Sequence, residues 1–217
     1  MWSILQKDLR LELRTKEALS GLVVLVVLIL LTFTFALDPE GATAAGPAVL
    51  WVTLIFAGLL SVQRAFLIER ENGSWYGLLL CPVDRGAIFI AKMVGNIIVL
   101  AVAQTVLVVL LMLFFGIAPP PALVAFLLAN ALGLIGFSAL ATLFAAISVR
   151  LRAREMLLPL LVLPLLVPVI ICAVEASRIL LTGGSATSAG VWLRVLATFD
   201  VIITVTGWLI FEQLVLE

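Results

Sequence analysis

Apolar residues run in long stretches along this chain, and polar residues gather in the short segments between them. A membrane-crossing helix needs roughly 20 mostly apolar residues, because the hydrocarbon core is ~30 Å thick and a helix rises ~1.5 Å per residue. Six stretches meet that length: Ala18–Leu37, Pro47–Ile68, Ala87–Phe115, Ala122–Ser148, Met156–Val174 and Trp192–Leu214. The pattern predicts an all-α membrane protein with six spans, read as a single permease domain over residues 1–217. Gly116–Pro121, GIAPPP, is the turn between the third and fourth spans, since consecutive prolines cannot continue a helix. Ahead of the first span, Trp2, Leu5, Leu9 and Leu13 share one narrow helical face, with Lys7, Arg10 and Arg14 on its flank and Ile4 and Leu11 pointing away. Residues 1–17 therefore read as a helix lying in the membrane interface; the plainer alternative is an extension of the first span.

Composition agrees with the pattern. Charged residues are 12% of the chain and hydrophobic ones 64%; soluble domains carry about 25% charge, so the natural solvent here is a bilayer. No small-residue cleavage site follows the first apolar run in the usual place, so it reads as a retained helix. The net charge of zero hides an asymmetry. Lys7, Arg10, Arg14 and Lys16 precede the first span. Arg64, Arg70, Arg85 and Lys92 surround the second loop, and Arg150, Arg152 and Arg154 fill the fourth. Only Arg178 and Arg194 lie on the opposite side. Basic loops stay in the cytoplasm, so both termini are expected there and the number of spans is even.

The longest polar-rich interruption is ERENGSWYGLLLCPVDRGAIFIAK, Glu69–Lys92. Gly73 is expected to break the helix carrying Glu69 and Arg70 out of the membrane. Ser74 caps a new short helix over Trp75–Leu80. Pro82 ends it, because the residue before a proline is pushed from helical geometry. Asp84 and Arg85 form a polar corner, and Lys92 is expected to snorkel outward from the next span. An apolar cytoplasmic helix left bare is costly, so it either rests on lipid or fits a groove in a partner.

These residues resemble the permeases of the ABC-2 class of exporters: Glu69, Arg70, Glu71 and Gly73, then Leu78 and Leu79, then Pro82, Val83 and Arg85, then Lys92. With the start WSILQKDLRLELRTKEAL and the fifth span MLLPLLVLPLLVPVI, the whole chain resembles the CcmB family of haem exporter permeases in cytochrome c maturation. The resemblance implies an ABC-2-type fold in the bacterial inner membrane. It makes residues 69–86 a coupling segment, with Glu69, Arg70, Glu71, Gly73, Trp75, Tyr76, Leu78, Leu79, Pro82, Asp84 and Arg85 as the ATPase-coupling residues. It also implies the partners: the cytoplasmic ATPase CcmA, the membrane proteins CcmC and CcmD, and the periplasmic haem chaperone CcmE.

Catalytic chemistry of its own is not expected. No G-x-x-x-x-G-K-[ST] phosphate loop occurs, so ATP is bound by a partner subunit. With no histidine, a Ser-His-Asp triad, the common zinc sites and axial histidine ligation of haem are excluded. The two cysteines, Cys81 and Cys172, are far apart in sequence, and Met93, Met112 and Met156 are scattered and suit packing. No cofactor is expected to be bound directly, and haem would be handled by the complex with iron ligands from another subunit.

Inside the spans, Asp200 is the most unusual residue, since intramembrane carboxylates are costly and usually face protein or water; a wet position near the interface is the alternative. Asn96, Gln104 and Asn130 suit hydrogen bonds between helices, and Ser138, Thr142 and Ala146 form a small-residue stripe. Glu175 and Arg178 suit a local ion pair. Ala176–Leu181 fits a short re-entrant helix, followed by a flexible loop over Gly183–Gly190. Pro159, Pro164 and Pro168 are expected to bend the fifth span. Two other readings share parts of this pattern: a permease of another ABC-2 exporter for lipid, glycan or drug, and an ion-coupled secondary transporter. The second usually shows internal repeats, and none is visible.

Overall fold

The computed structural model describes residues 17–71, 85–148 and 154–216. Among them are six α-helices: α1 (Glu17–Ala36), α2 (Pro39–Glu71), α3 (Arg85–Phe115), α4 (Leu123–Ser148), α5 (Arg154–Leu181) and α6 (Ala186–Leu216). Each expected span coincides with one helix. Five of them, over Pro39–Phe66, Arg85–Phe115, Leu123–Ile147, Pro159–Leu181 and Ala186–Phe211, are long and apolar enough to cross a bilayer. In α1 the apolar part, Gly21–Ala36, is shorter. The chain is thus an all-α, multi-pass membrane protein. The predicted interfacial helix lies outside the described residues.

The helix ends follow local chemistry. α2 begins eight residues before the expected Pro47, which sits inside it. Asp38 caps it, its Oδ1 accepting from the Gly41 N–H at 3.0 Å, and Pro39 and Glu40 occupy the first turn, where a fixed φ and a negative charge are both favoured. α3 stops at Gly116, whose φ of 64° suits glycine, and the Ile117 N–H bonds back to the Met112 carbonyl at 3.1 Å.

The segment after α5 differs from expectation. Ala176–Leu181 is no separate re-entrant helix but the unbroken end of α5. Gly183, at φ 87°, closes it, with the Gly184 N–H bonded to the Ile179 carbonyl at 2.8 Å. Nor is Gly183–Gly190 a loop: α6 begins at Ala186. Ser185 Oγ accepts from the Ser188 N–H at 3.3 Å, and Ser188 Oγ from the Ser185 N–H at 3.2 Å. That reciprocal pair is a capping box with serine in place of the usual acid.

α4 lies at the centre, packed against α2, α3, α5 and α6. Ser138, Thr142 and Ala146 are all buried, as a stripe that lets neighbours approach closely requires. Trp51 of α2 lies flat on Gly133 of α4, where a Cβ would come within 2.1 Å of the indole. Its Nε1 donates to Ser177 Oγ of α5 at 2.9 Å, so one buried side chain ties three helices. Along α5, Val162, Leu166, Val169, Ala173 and Ala176 face inward, while Pro164 and Pro168 lie on the outer face and the helix continues through them. Among the described side chains of α1, only Leu22, Val26 and Leu30, spaced by four, are buried. The rest of that helix is left to lipid.

Candidate functional site

α2 is 33 residues long, about 50 Å at 1.5 Å per residue and well beyond the ~30 Å hydrocarbon thickness. Its last turn carries Glu69, Arg70 and Glu71, and α3 begins at Arg85, which is half-buried. These four frame the expected coupling segment. Gly73, Trp75, Tyr76, Leu78, Leu79, Pro82 and Asp84 lie outside the described residues.

The base of this α2–α3 hairpin is packed onto a third helix. Gly86, in the first turn of α3, lies under Trp208 of α6: a Cβ at Gly86 would come within 1.9 Å of the indole Nε1. One turn on, the rings of Phe89 and Phe211 stack tilted at 44°, with centroids 5.6 Å apart. Gly207 admits Phe89, since a Cβ there would come within 2.5 Å of the ring. Phe89 and Phe211 are fully buried. The start of α3 is thus packed directly against α6, as densely as an interior where Phe89 and Phe211 meet.

Lys92 departs from expectation. It does not snorkel outward but is buried at 6% exposure, with Nζ 5.5 Å from the centre of the Phe66 ring of α2. The ring's negative face draws in the ammonium, and Lys92 has a further interaction within the chain. The lysine thus joins α3 to α2 at the hairpin base.

Further along α3, polar residues pair with α4. Asn96 Nδ2 donates to Thr142 Oγ1 at 2.8 Å. Gln104 Nε2 donates to Asn130 Oδ1, and Asn130 Nδ2 to the Phe126 carbonyl at 2.7 Å. Gln104 and Asn130 are brought together as interhelical links, both buried.

Asp200 stands apart from them. It is 5% exposed, midway along α6, and the wet interfacial position does not hold. Oδ1 sits over Gly136 of α4, where a Cβ would come within 2.6 Å of it and 3.3 Å of Val169 Cγ2 of α5. Neither carboxyl oxygen has a hydrogen-bond partner among the described residues. Arg194 is turned back onto its own helix, Nε bonding the Gly190 carbonyl at 3.1 Å. Glu175 and Arg178 form the expected pair at 2.6 Å, on the surface. Among the described residues no three of His, Cys, Asp and Glu gather as a metal site, and Cys172 is a buried free thiol.

Sequence reasoning missed the hairpin's link to α6. Its signals are glycines facing large aromatics: Gly86 with Trp208, and Gly207 with Phe89. No spacing rule joins residues so distant along the chain.

The sequence model of the CcmB protein family matches residues 1–211. The chain is 36% identical over 198 residues to the Heme exporter protein B of Paracoccus denitrificans, covering 89% of both chains. It is 35% identical over 185 residues to that of Rhodobacter capsulatus, covering 82% of both. It is 28% identical over 203 residues to that of Pseudomonas aeruginosa, covering 93% of this chain and 91% of the relative.

Proposed function

The chain belongs to the CcmB family, and from that premise we propose that it is the membrane permease subunit through which a separate ATPase drives haem export or the release of a haem-loaded chaperone. The observation that carries this reading is the packed base of the α2–α3 hairpin, with Gly86 under Trp208 and Phe89 against Phe211. A hairpin tip held by a moving partner acts as a lever only if its root is locked to the rest of the bundle.

In this reading the cytoplasmic ATPase CcmA grips residues 69–86. Trp75, Tyr76, Leu78 and Leu79 are the apolar knob, Gly73 and Pro82 set its ends, and Glu69, Arg70, Glu71, Asp84 and Arg85 are the polar rim that selects the partner. ATP closure of CcmA displaces the knob. Lys92 and Phe66 keep α2 and α3 moving together, and the aromatic wedge passes the shift to α6, which packs on α4 and α5. The bundle then offers a changed surface to CcmC and CcmD, and through them to haem and the chaperone CcmE. Coupling of this kind needs an element with two packed arrangements, each favoured by one nucleotide state. Both termini lie in the cytoplasm and the bundle spans the bacterial inner membrane. The chain itself is non-catalytic and holds no haem ligand of its own.

Charge reversal at Glu69, Arg70, Glu71, Asp84 and Arg85, one at a time, tests the assignment. Some reversals are expected to detach CcmA on co-purification, or to leave it bound while cytochrome c maturation stops, with membrane insertion unchanged. Intact assembly and maturation in every reversal would rule out this segment as the coupling site.

A further inference from the structure

The α1–α2 seam stands open in one place. Gly21, Leu22 and Leu25 of α1 face Leu60, Ser61 and Arg64 of α2 across a groove of about 330 Å³. Gly21 is the one glycine of α1, and among the described residues a Cβ built there meets nothing within 4 Å. Small residues at a helix seam ordinarily let two backbones close up. Gly21 and Ser61 line a seam that has not closed.

The groove has the size of a ligand site, at the lower end of the ~300–1,000 Å³ range. Leu22 forms its buried floor, while Leu60, at 53% exposure, opens it outward toward the acyl chains of the bilayer. A void on a lipid-facing surface forfeits dispersion contacts along its whole lining, so an acyl chain fills it. The lining is also graded. α1 starts and α2 finishes at the same end, so Gly21 and Arg64 lie nearer the interface, and Leu25 and Leu60 lie one turn deeper. A phospholipid has the same gradient, with charge at the interface and hydrocarbon below. Arg64 takes part in an interaction within the chain, and a guanidinium has five N–H donors, enough to bond a phosphate oxygen besides.

We infer that this groove binds one anionic phospholipid of the surrounding bilayer, its phosphate at Arg64 and an acyl chain over Gly21, Leu22, Leu25 and Leu60. The inference uses only the α1–α2 geometry and is independent of the coupling reading.

The test is native mass spectrometry of the full chain in its membrane complex, with phosphatidylglycerol and phosphatidylcholine as probes. Gly21→Leu projects a side chain into the groove from a Cβ that meets nothing within 4 Å among the described residues, and is expected to abolish retention of the extra lipid, whichever headgroup it carries. Arg64→Gln removes the charge-assisted bond to the phosphate and is expected to weaken phosphatidylglycerol about tenfold or more, and phosphatidylcholine less, since its choline cation already offsets the attraction; Arg64→Lys keeps most of the preference. Equal phosphatidylglycerol retention by the parent chain and Gly21→Leu overturns the inference. A photoreactive residue placed at Gly21 gives a second readout should Arg64→Gln fail to assemble. Crosslinking to phospholipid supports the site, whereas crosslinking to polypeptide, either residues 1–16 or another subunit, overturns it.

Discussion

The two flanks of α4 treat their largest polar side chains in opposite ways. Toward α3, the Gln104 amide reaches Asn130 and the Asn96 amide reaches Thr142. Toward α6, Gly136 lacks a side chain so that the Asp200 carboxyl can fit, and that carboxyl has no partner among the described residues. The first flank is built as helix glue, because an amide bonded across a helix pair fixes register at little cost. The second leaves a buried carboxyl without a partner among the described residues. An orphaned buried polar group costs about 1–3 kcal/mol. Intramembrane carboxylates kept under such conditions ordinarily serve a pathway or a switch.

The largest effect is expected at Gly136. Gly136→Val drives a branched side chain into Asp200 Oδ1 and Val169 at once. Overpacking of this kind costs about 1–3 kcal/mol or more, read as a lower unfolding midpoint of the purified protein in detergent. The double variant Gly136→Ala/Asp200→Ala is expected to recover most of the loss shown by Gly136→Ala alone. Additive losses would mean that the two residues do not touch, and the contrast between the flanks would collapse.

Asp200→Val comes next and separates the two meanings of an orphan. Removing the unsatisfied carboxyl is expected to stabilise the protein by about 1–2 kcal/mol while lowering cytochrome c maturation. Stability gained together with function lost is the mark of a residue kept for activity. A variant that is both stabler and fully active would reduce Asp200 to a packing defect.

Much of the architecture was legible because long apolar runs admit one solution in lipid, a helix that satisfies its own backbone. That Asn96, Gln104 and Asn130 bond between helices followed from residue type, though not which partner each meets, and the Glu175–Arg178 pair followed from i, i+3 spacing. The helix starts were less legible. Hydropathy places α2 at Pro47, yet Asp38, Pro39 and Glu40 form a cap signature that outweighs the weaker apolarity of the first turns. The α5–α6 turn was misjudged because GGSATSAG reads as loop by composition, although its Gly183 and Ser185 are a stop and a start. Lys92 was misjudged because depth along a span tells nothing of which neighbour a side chain meets. Lys92 finds an aromatic ring on the preceding helix and Asp200 a glycine two helices back, and neither spacing is one the sequence reveals.

On the α3 flank, where Ser138 Oγ also lacks a partner among the described residues, the effects of the bonded amides are smaller. Gln104→Leu strands the Asn130 carbonyl oxygen and is expected to cost about 1 kcal/mol. Gln104→Leu with Asn130→Leu should lose less than the sum of the single variants, with a coupling of about 0.6 kcal/mol, the usual worth of an interhelical hydrogen bond in a membrane. Thermal unfolding of the four proteins of that cycle measures the coupling directly. A value near zero would show that Gln104 and Asn130 are solvated separately, and α4 would then have no glued flank.

The smallest effect belongs to Asn96 and Thr142. Thr142→Val keeps the shape of a fully buried side chain and deletes only the hydroxyl that accepts from Asn96 Nδ2 at 2.8 Å. Asn96 is only partly buried, so its freed amide retains other ways to find a partner, and the expected loss is at most about 0.6 kcal/mol. Cytochrome c maturation should not change, since this bond holds α3 to α4 two turns away from the Gln104–Asn130 link and is redundant with it. A large drop in maturation with an unchanged unfolding midpoint would mean that the α3–α4 seam slides during the working cycle. In that case both flanks of α4, not only the one facing Asp200, would belong to the moving part.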